Sequence, residues 1–313
     1  MSDTTHNYAE APIKSTKEVI RTVDLTKYYG RTRGIEDFTL TVNKGEIFGF
    51  LGPNGAGKTT TIRLCLGLIA KTSGSITIFG MDSHKDSVAI RKRVGYVPGD
   101  FGLIPNITVK GYLNYLLSLS ECKSDDKMKE LAERFDLDLK RKTHELSRGN
   151  KQKVGVVQAF MADQDLIILD EPTTGLDPLM QQEFYKLVKQ EKENGKTIFM
   201  SSHILAEAEA VCDRVAIVKE GRLKMVEEIA SLQEKTGKVL DVEFRGPVDV
   251  EEFRMPGVSE IKVDDNRLSL TINENLDSVI KAVATHKIQN MSLKTYSLEQ
   301  LFLQYYKNGA GEA

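Results

Sequence analysis

The sequence predicts an α/β protein built on a parallel sheet, with a smaller α+β unit after it. Three observations carry that expectation. Apolar strand-like runs alternate with helical patterns over residues 19–234. Residues 109–162 read as mostly helical, an insertion within that alternation. From residue 235 the pattern becomes shorter and mixed.

Residues 1–18 mix Ser, Thr, Asn and charges without periodicity and read as a flexible tail. Strands are expected at 19–23, 38–42 and 47–51, the last an apolar run broken only by Gly49. A helix follows at 59–68, then strands at 75–79 and 94–97. In the insertion, apolar residues recur at helical spacing over 112–119 and 128–135. Strands return at 166–169, 197–201 and 215–218, separated by helices at 180–193 and 204–213. The C-terminal unit, 235–313, shows strands at 239–244, 260–263, 268–272 and 291–294 and a helix at 276–286. Ser297 with Gln300 forms a capping box before a helix at 298–306. The approximate order β-α-β-β-α-β-α is that of a ferredoxin-like module.

Composition narrows the function. The 313 residues carry 43 basic and 45 acidic side chains, a formal charge of −2. Nucleic-acid binding needs a dense basic face, so no nucleic-acid partner is expected. Cys65, Cys122 and Cys212 are too few and too scattered for a disulfide framework, which points to a reducing compartment. No run approaches the ~20 apolar residues of a membrane span, and the N-terminus lacks the apolar core of a signal peptide.

Gly52-Pro53-Asn54-Gly55-Ala56-Gly57-Lys58-Thr59 fits G-x-x-x-x-G-K-[ST] between an expected strand and an expected helix. Glycines let backbone amides wrap a triphosphate, and the helix adds its positive end. Lys58 would reach phosphate oxygens and Thr59 would ligate Mg²⁺. Such a motif arises by chance in roughly 1% of chains, and its placement here makes chance a poor explanation. Gly195-Lys196-Thr197 is a decoy: Gln190 stands where the first glycine belongs, and Gly195 reads as a helix cap. The strand at 166–169 delivers Asp170 and Glu171 at its end. Asp170 suits the Mg²⁺ shell, and Glu171 suits a base that takes a proton from attacking water.

Further motifs carry a resemblance. Leu146-Ser147-Arg148-Gly149-Asn150-Lys151-Gln152 resembles the signature loop of ABC-type ATPases, usually L-S-G-G-Q. Glu171-Pro172-Thr173-Thr174-Gly175-Leu176-Asp177-Pro178 resembles their passage into the D-loop, and Ser201-Ser202-His203 their switch histidine. Tyr29 before Gly30 resembles the aromatic that stacks on adenine, with Tyr28 competing for that role. The order of the motifs is that of the family, over about residues 20–225. The resemblance implies a P-loop NTPase core of ABC ATPase type, an antiparallel β subdomain, the helical insertion and ATP with Mg²⁺ as ligands. It implies nucleotide contacts from Tyr29, residues 52–60 including Thr60, and Ser147, Gly149 and Asp177. It implies catalytic roles for Lys58, Glu171 and His203, and metal contacts from Thr59 and Asp170.

It further implies a head-to-tail homodimer, or paired ATPase subunits, in which each signature loop completes the partner's ATP site. The work would drive a separate transmembrane permease, contacted through the insertion and residues 98–105, where Phe101, Leu103 and Ile104 are apolar. That places the chain in the cytoplasm, peripheral on the inner face of the membrane. Two departures stand out. Gly99 occupies the place of the usual Gln after Tyr96-Val97-Pro98, so water or Asp100 must take its part. Arg148-Gly149-Asn150 replaces Gly-Gly-Gln, putting a positive charge at the signature loop. Both variants, and the ending Tyr296-Ser297-Leu298-Glu299-Gln300-Leu301-Phe302-Leu303, resemble ABC ATPases that drive export of drugs, antibiotics or lipids. Two alternatives compete: a soluble ABC ATPase acting on ribosomes or DNA, and an ATP-gated regulator with little turnover, which Gly99 motivates.

Overall fold

Strand β1 (Glu18–Tyr29) and strand β2 (Thr32–Asn43) form a long antiparallel hairpin closed by Gly30-Arg31 in the computed structural model, which describes residues 17–295 except 101, 121, 123 and 236. Both strands run well beyond the expected 19–23 and 38–42. Asp24 and Asp37 adopt φ of +47° and +54° where the ladder slips register. Each slip inverts the inside–outside alternation, which hides the longer strand from a period-of-two reading.

Strand β3 (Ile47–Leu51) leads through the glycine-rich loop into helix α1 (Lys58–Cys65). Strands β4 (Ser73–Ile78) and β5 (Met81–Asp82) then join the hairpin in a sheet ordered β2-β1-β4-β5, every pair antiparallel. Helix α2 (Ser87–Lys92) precedes strand β6 (Val94–Val97). The insertion supplies helices α3 (Val109–Ser118), α4 (Asp126–Arg134) and α5 (Arg148–Phe160), with a 3-10 turn at Thr143–Glu145. Thr108 caps α3 by accepting the Gly111 N–H at 3.0 Å.

Strand β7 (Leu166–Asp170), helix α6 (Pro178–Glu193), strand β8 (Thr197–Ser202), helix α7 (Leu205–Val211), strand β9 (Arg214–Lys219) and strand β10 (Arg222–Glu228) follow. Gly195 stands just past α6 with φ +83° and donates to the Lys192 carbonyl, which makes it the helix-ending glycine the sequence suggests. The second sheet is ordered β10-β9-β3-β8-β7-β6, and β9, β3, β8, β7 and β6 pair in parallel. Strands β3, β7 and β8 are buried at every position, as expected where both faces of a parallel sheet are covered. Phe48 stacks on Phe199 at 6.0 Å between ring centres, and Phe50 tilts against the same ring at 5.3 Å.

The order β3-β8-β7-β6 matters for function. It sets the C-terminal ends of four neighbouring strands at one edge, where α/β proteins gather their ligands.

Contacts divide the chain between Val226 and Glu227, ahead of the expected boundary at 234/235. The second unit begins with helix α8 (Ile229–Lys235), followed by strands β11 (Lys238–Phe244), β12 (Val258–Asp264) and β13 (Arg267–Ile272), helix α9 (Leu276–Ala284) and strand β14 (Ile288–Thr295). Its sheet is antiparallel and ordered β12-β13-β11-β14, the order of a ferredoxin-like split β-α-β arrangement. The first crossover holds only a 3-10 turn at Val250–Phe253 in place of a full helix. Phe253, Leu240, Leu270 and Val279 fill its core. The expected helix at 298–306 and the motif at 296–303 lie outside the described residues, as does Phe101. So does all but the end of the expected tail, 1–18.

Candidate active site

The glycine-rich loop is shaped by sterics. Gly57 has φ +105°, and a Cβ there would lie 2.5 Å from the Ile35 side chain and 2.8 Å from the Gly34 carbonyl. Only glycine fits, so its identity follows from the close approach of the β2 backbone. Gly55 also needs a left-handed φ, +82°.

Lys58, at 7% exposure, is folded over this loop. Its ammonium donates to the carbonyls of Gly52 at 2.6 Å and Pro53 at 3.2 Å. It also lies 3.1 Å from Glu171 Oε1. That oxygen is buried and accepts no well-directed hydrogen bond, so the ion pair alone compensates it. The other oxygen, Oε2, lies 2.6 Å from His203 Nδ1. An ionised carboxylate only accepts, so Nδ1 carries the proton, and Nε2 is the ring nitrogen left for another partner. Three side chains from three segments are thus linked in one chain, Lys58–Glu171–His203.

A second chain runs beside it. The Thr59 hydroxyl donates to Asp170 Oδ2 at 2.8 Å, and the Ser201 hydroxyl donates to Asp170 Oδ1 at 2.5 Å. Asp170 is fully buried at the end of β7, directly across the ladder from Ser201. Burial and the nearby Asp170 carboxylate push the Tyr96 phenol up to about 12, so it stays neutral. Glu171 itself has φ +50° and donates its N–H toward the Ser201 carbonyl and hydroxyl, both at 3.2 Å. A non-glycine residue held there stores about 1–3 kcal/mol of strain, a cost met most often at functional sites.

Tyr29, Arg33, Asn54, Lys58, Thr60 and Glu171 line one cleft of about 310 Å³. Tyr29 is 46% exposed there, with the Lys27 ammonium 5.1 Å from its ring centre. Tyr28 is committed elsewhere, donating its hydroxyl to Glu36 at 2.6 Å.

Of the expected residues, Gly52, Pro53, Ala56, Asp170 and His203 do not line this cleft, and neither do Ser147, Gly149 and Asp177. Ser147 caps α5, accepting the Asn150 N–H at 3.3 Å. Gly149 is pressed against the chain after Glu171, since a Cβ on it would meet the Gly175 carbonyl at 2.5 Å. Asp177 caps α6, accepting from the N–H groups of Leu179 and Met180. Sequence reasoning missed Ser201 and Gln152, whose buried amide donates to the Pro172 carbonyl at 2.8 Å. Ser201 was findable, because β8 ends in line with Asp170. Gly99 abuts Asp170: a Cβ there would lie 3.3 Å from the carboxyl carbon.

Comparison with known proteins identifies the family. Residues 35–174 match the family described as ABC transporter. The bacitracin transport ATP-binding protein BcrA of Bacillus licheniformis is 40% identical over 231 residues, 72% of this chain and 75% of that protein. The chain belongs to the ABC transporter family. It is an ABC-type ATPase, and ABC ATPases bind ATP with Mg²⁺. Two further relatives extend the comparison. The carnitine transport ATP-binding protein OpuCA of Listeria monocytogenes is 33% identical over 277 residues, 84% of this chain and 69% of that protein. The linearmycin resistance ATP-binding protein LnrL of Bacillus subtilis (strain 168) is 29% identical over 302 residues, 91% of this chain and 97% of that protein. A solved ATP-binding subunit of an ABC transporter superposes with a TM-score of 0.64 at 32% identity, covering 69% of this chain and 92% of that one. The P-loop core anticipated from the motifs is the fold of these ABC ATPases.

Proposed function

We propose that this subunit powers export of a drug, antibiotic or lipid-like substrate through a separate membrane permease, by ATP-driven head-to-tail dimerisation. One observation carries the catalytic part: the Lys58–Glu171–His203 chain lies at the same sheet edge as the Thr59–Asp170 pair. The hydroxyl and carboxylate oxygens of Thr59 and Asp170 are the hard donors Mg²⁺ takes, so the site fits that ion. When bound, Mg²⁺ offsets the negative charge of the phosphate oxygens.

The chain's own residues supply the rest. Backbone amides of the loop from Gly52 to Gly57 cradle the phosphates, and Lys58 exchanges its loop carbonyls and Glu171 for phosphate oxygens. Glu171, so released, accepts a proton from the attacking water. His203 holds the Glu171 carboxylate in place through Nδ1–H, and a contact from Nε2 to the γ-phosphate requires that Nε2 also carry a proton to donate. Tyr29 stacks on the adenine. Ser147 and Gly149 act on the nucleotide of the partner subunit, which accounts for their position away from their own cleft.

The export reading rests on the Arg148-Gly149-Asn150 signature variant and on two relatives named for antibiotics, one of them matching across the C-terminal unit. No helix among the described residues is long and apolar enough to cross a membrane, so the pathway falls to a permease. The subunit then works from the cytoplasm, peripheral on the inner face of the membrane. Ile104, 44% exposed, and the insertion form the face offered to that partner. Co-purification with a membrane partner, followed by ATP-dependent bacitracin accumulation in inverted vesicles, whose cytoplasmic face is outermost, compared with carnitine movement, tests the assignment. Carnitine movement without antibiotic movement overturns it. Gly99 favours a second reading, a gate with little turnover, since the position beside Asp170 has no side chain to help order the metal shell. Turnover no greater than that of Glu171→Gln, with or without the partner, would select the gate.

A further inference from the structure

Glu207 is 3% exposed on α7, and nothing in the proposed chemistry uses it. A buried carboxylate is costly unless hydrogen-bonded, and an apolar residue would fill a core position more cheaply. Two hydroxyls satisfy it. Thr173 donates its Oγ1–H to Oε1, and Ser202 donates its Oγ–H to Oε2 at 2.5 Å.

The donors are telling. Thr173 lies two residues after Glu171, in a turn where the Thr174 N–H donates to the Glu171 carbonyl at 3.3 Å. Ser202 immediately precedes His203, and its Oγ also accepts the Ile204 N–H at 2.9 Å, closing a turn around that histidine. Beside the Glu171 N–H bond to Ser201, the two turns are therefore joined by two side-chain links. On one side the Glu171 carboxylate meets the His203 ring at 2.6 Å, and on the other Glu207 ties Thr173 to Ser202.

We propose that Glu207 is a positioning residue for ATP hydrolysis, clamping the Glu171 turn to the His203 turn so that base and switch histidine stay in register. The inference rests on the roles given above to Glu171 and His203. Binding of ATP is set by the phosphate loop, to which Glu207 makes no hydrogen bond, so its removal acts on kcat rather than on affinity.

Steady-state phosphate release by the purified full chain tests this. Glu207→Gln keeps the shape but accepts only one of the two hydroxyl protons. It should lower kcat by ~10–100-fold, the scale for removing a group behind a site's direct ligands. Equilibrium titration should show the Kd for ATP within about twofold of the parent. Thr173→Val should reproduce the loss, and Thr173→Ser should restore the rate. In a His203→Ala background, Glu207→Gln should change kcat by less than about twofold, because coupled residues are non-additive. A merely structural role would multiply the two losses instead. Parental kcat in a folded Glu207→Gln protein, or multiplied losses, overturns the proposal. Should that variant not fold, Thr173→Val at the parental rate overturns it. Glu171→Gln hydrolysing at the parental rate would remove the catalytic assignment itself, and this inference with it.

Discussion

His203 Nδ1 lies 2.6 Å from Glu171 Oε2, while Glu171 Oε1 lies 3.1 Å from Lys58 Nζ. One carboxylate thus joins the switch turn to the phosphate loop. His203→Ala should lower phosphate release by ~10–100-fold, since it strips the partner that orients the base. Its ATP affinity should stay close to that of the parent. A loss in affinity as large as the loss in rate would make His203 a binding residue instead.

The adenine contact separates two adjacent tyrosines. Stacking on an aromatic ring contributes up to about 1.5 kcal/mol, so Tyr29→Ala should weaken ATP binding about tenfold. Tyr28→Phe deletes only the hydroxyl given to Glu36 and should leave affinity unchanged. Calorimetric titration of both variants decides this, and equal losses would contradict the assignment.

Glu36 gives a pH signature. Its carboxyl is held down at about 2, first by the Tyr28 hydroxyl bond and then by the Arg222 guanidinium, with Arg33 assisting. The folded value lies below the ordinary one of 4.5, so the stabilisation is fully present above that value and is lost as pH falls through about 2. The stability difference between the parent and Glu36→Gln should be constant above pH ~5 and shrink below it. A difference that grows on acidification would refute the cluster.

Thiol reactivity checks the packing. Cys65 and Cys212 are buried, and burial pushes the Cys65 thiol up to about 12 and the Cys212 thiol up as well. Cys122 is only half-buried. Iodoacetamide at pH 7.5 should label Cys122 first, with mass spectrometry showing the other two protected until the protein unfolds. Equal labelling of all three would mean the core is open.

The legible parts of the fold were those with strong local chemistry. The run from Ile47 to Thr59 identified its strand, loop and helix because glycines, an apolar strand and Lys58 are each required by phosphate binding. Asp170 and Glu171 were legible for the same reason. The long β1–β2 hairpin was not, because the slips at Asp24 and Asp37 break its alternation. Nor were Glu207, Thr173 and Gln152, whose roles depend on contacts between segments 19 to 34 positions apart. The choice between Tyr28 and Tyr29 needed the Glu36 contact, which pairs neighbouring strands. Spacing alone could not show that Asp177 caps a helix.

The most direct measurement is phosphate release and solution mass of the Glu171→Gln protein in ATP and Mg²⁺, beside the parent and Lys58→Ala. The account predicts that Glu171→Gln binds ATP, loses at least about 100-fold in turnover as expected for a missing general base, and accumulates as a dimer. Lys58→Ala should bind ATP weakly and stay monomeric. Glu171→Gln hydrolysing at the parental rate, or remaining monomeric while saturated with ATP, would contradict it.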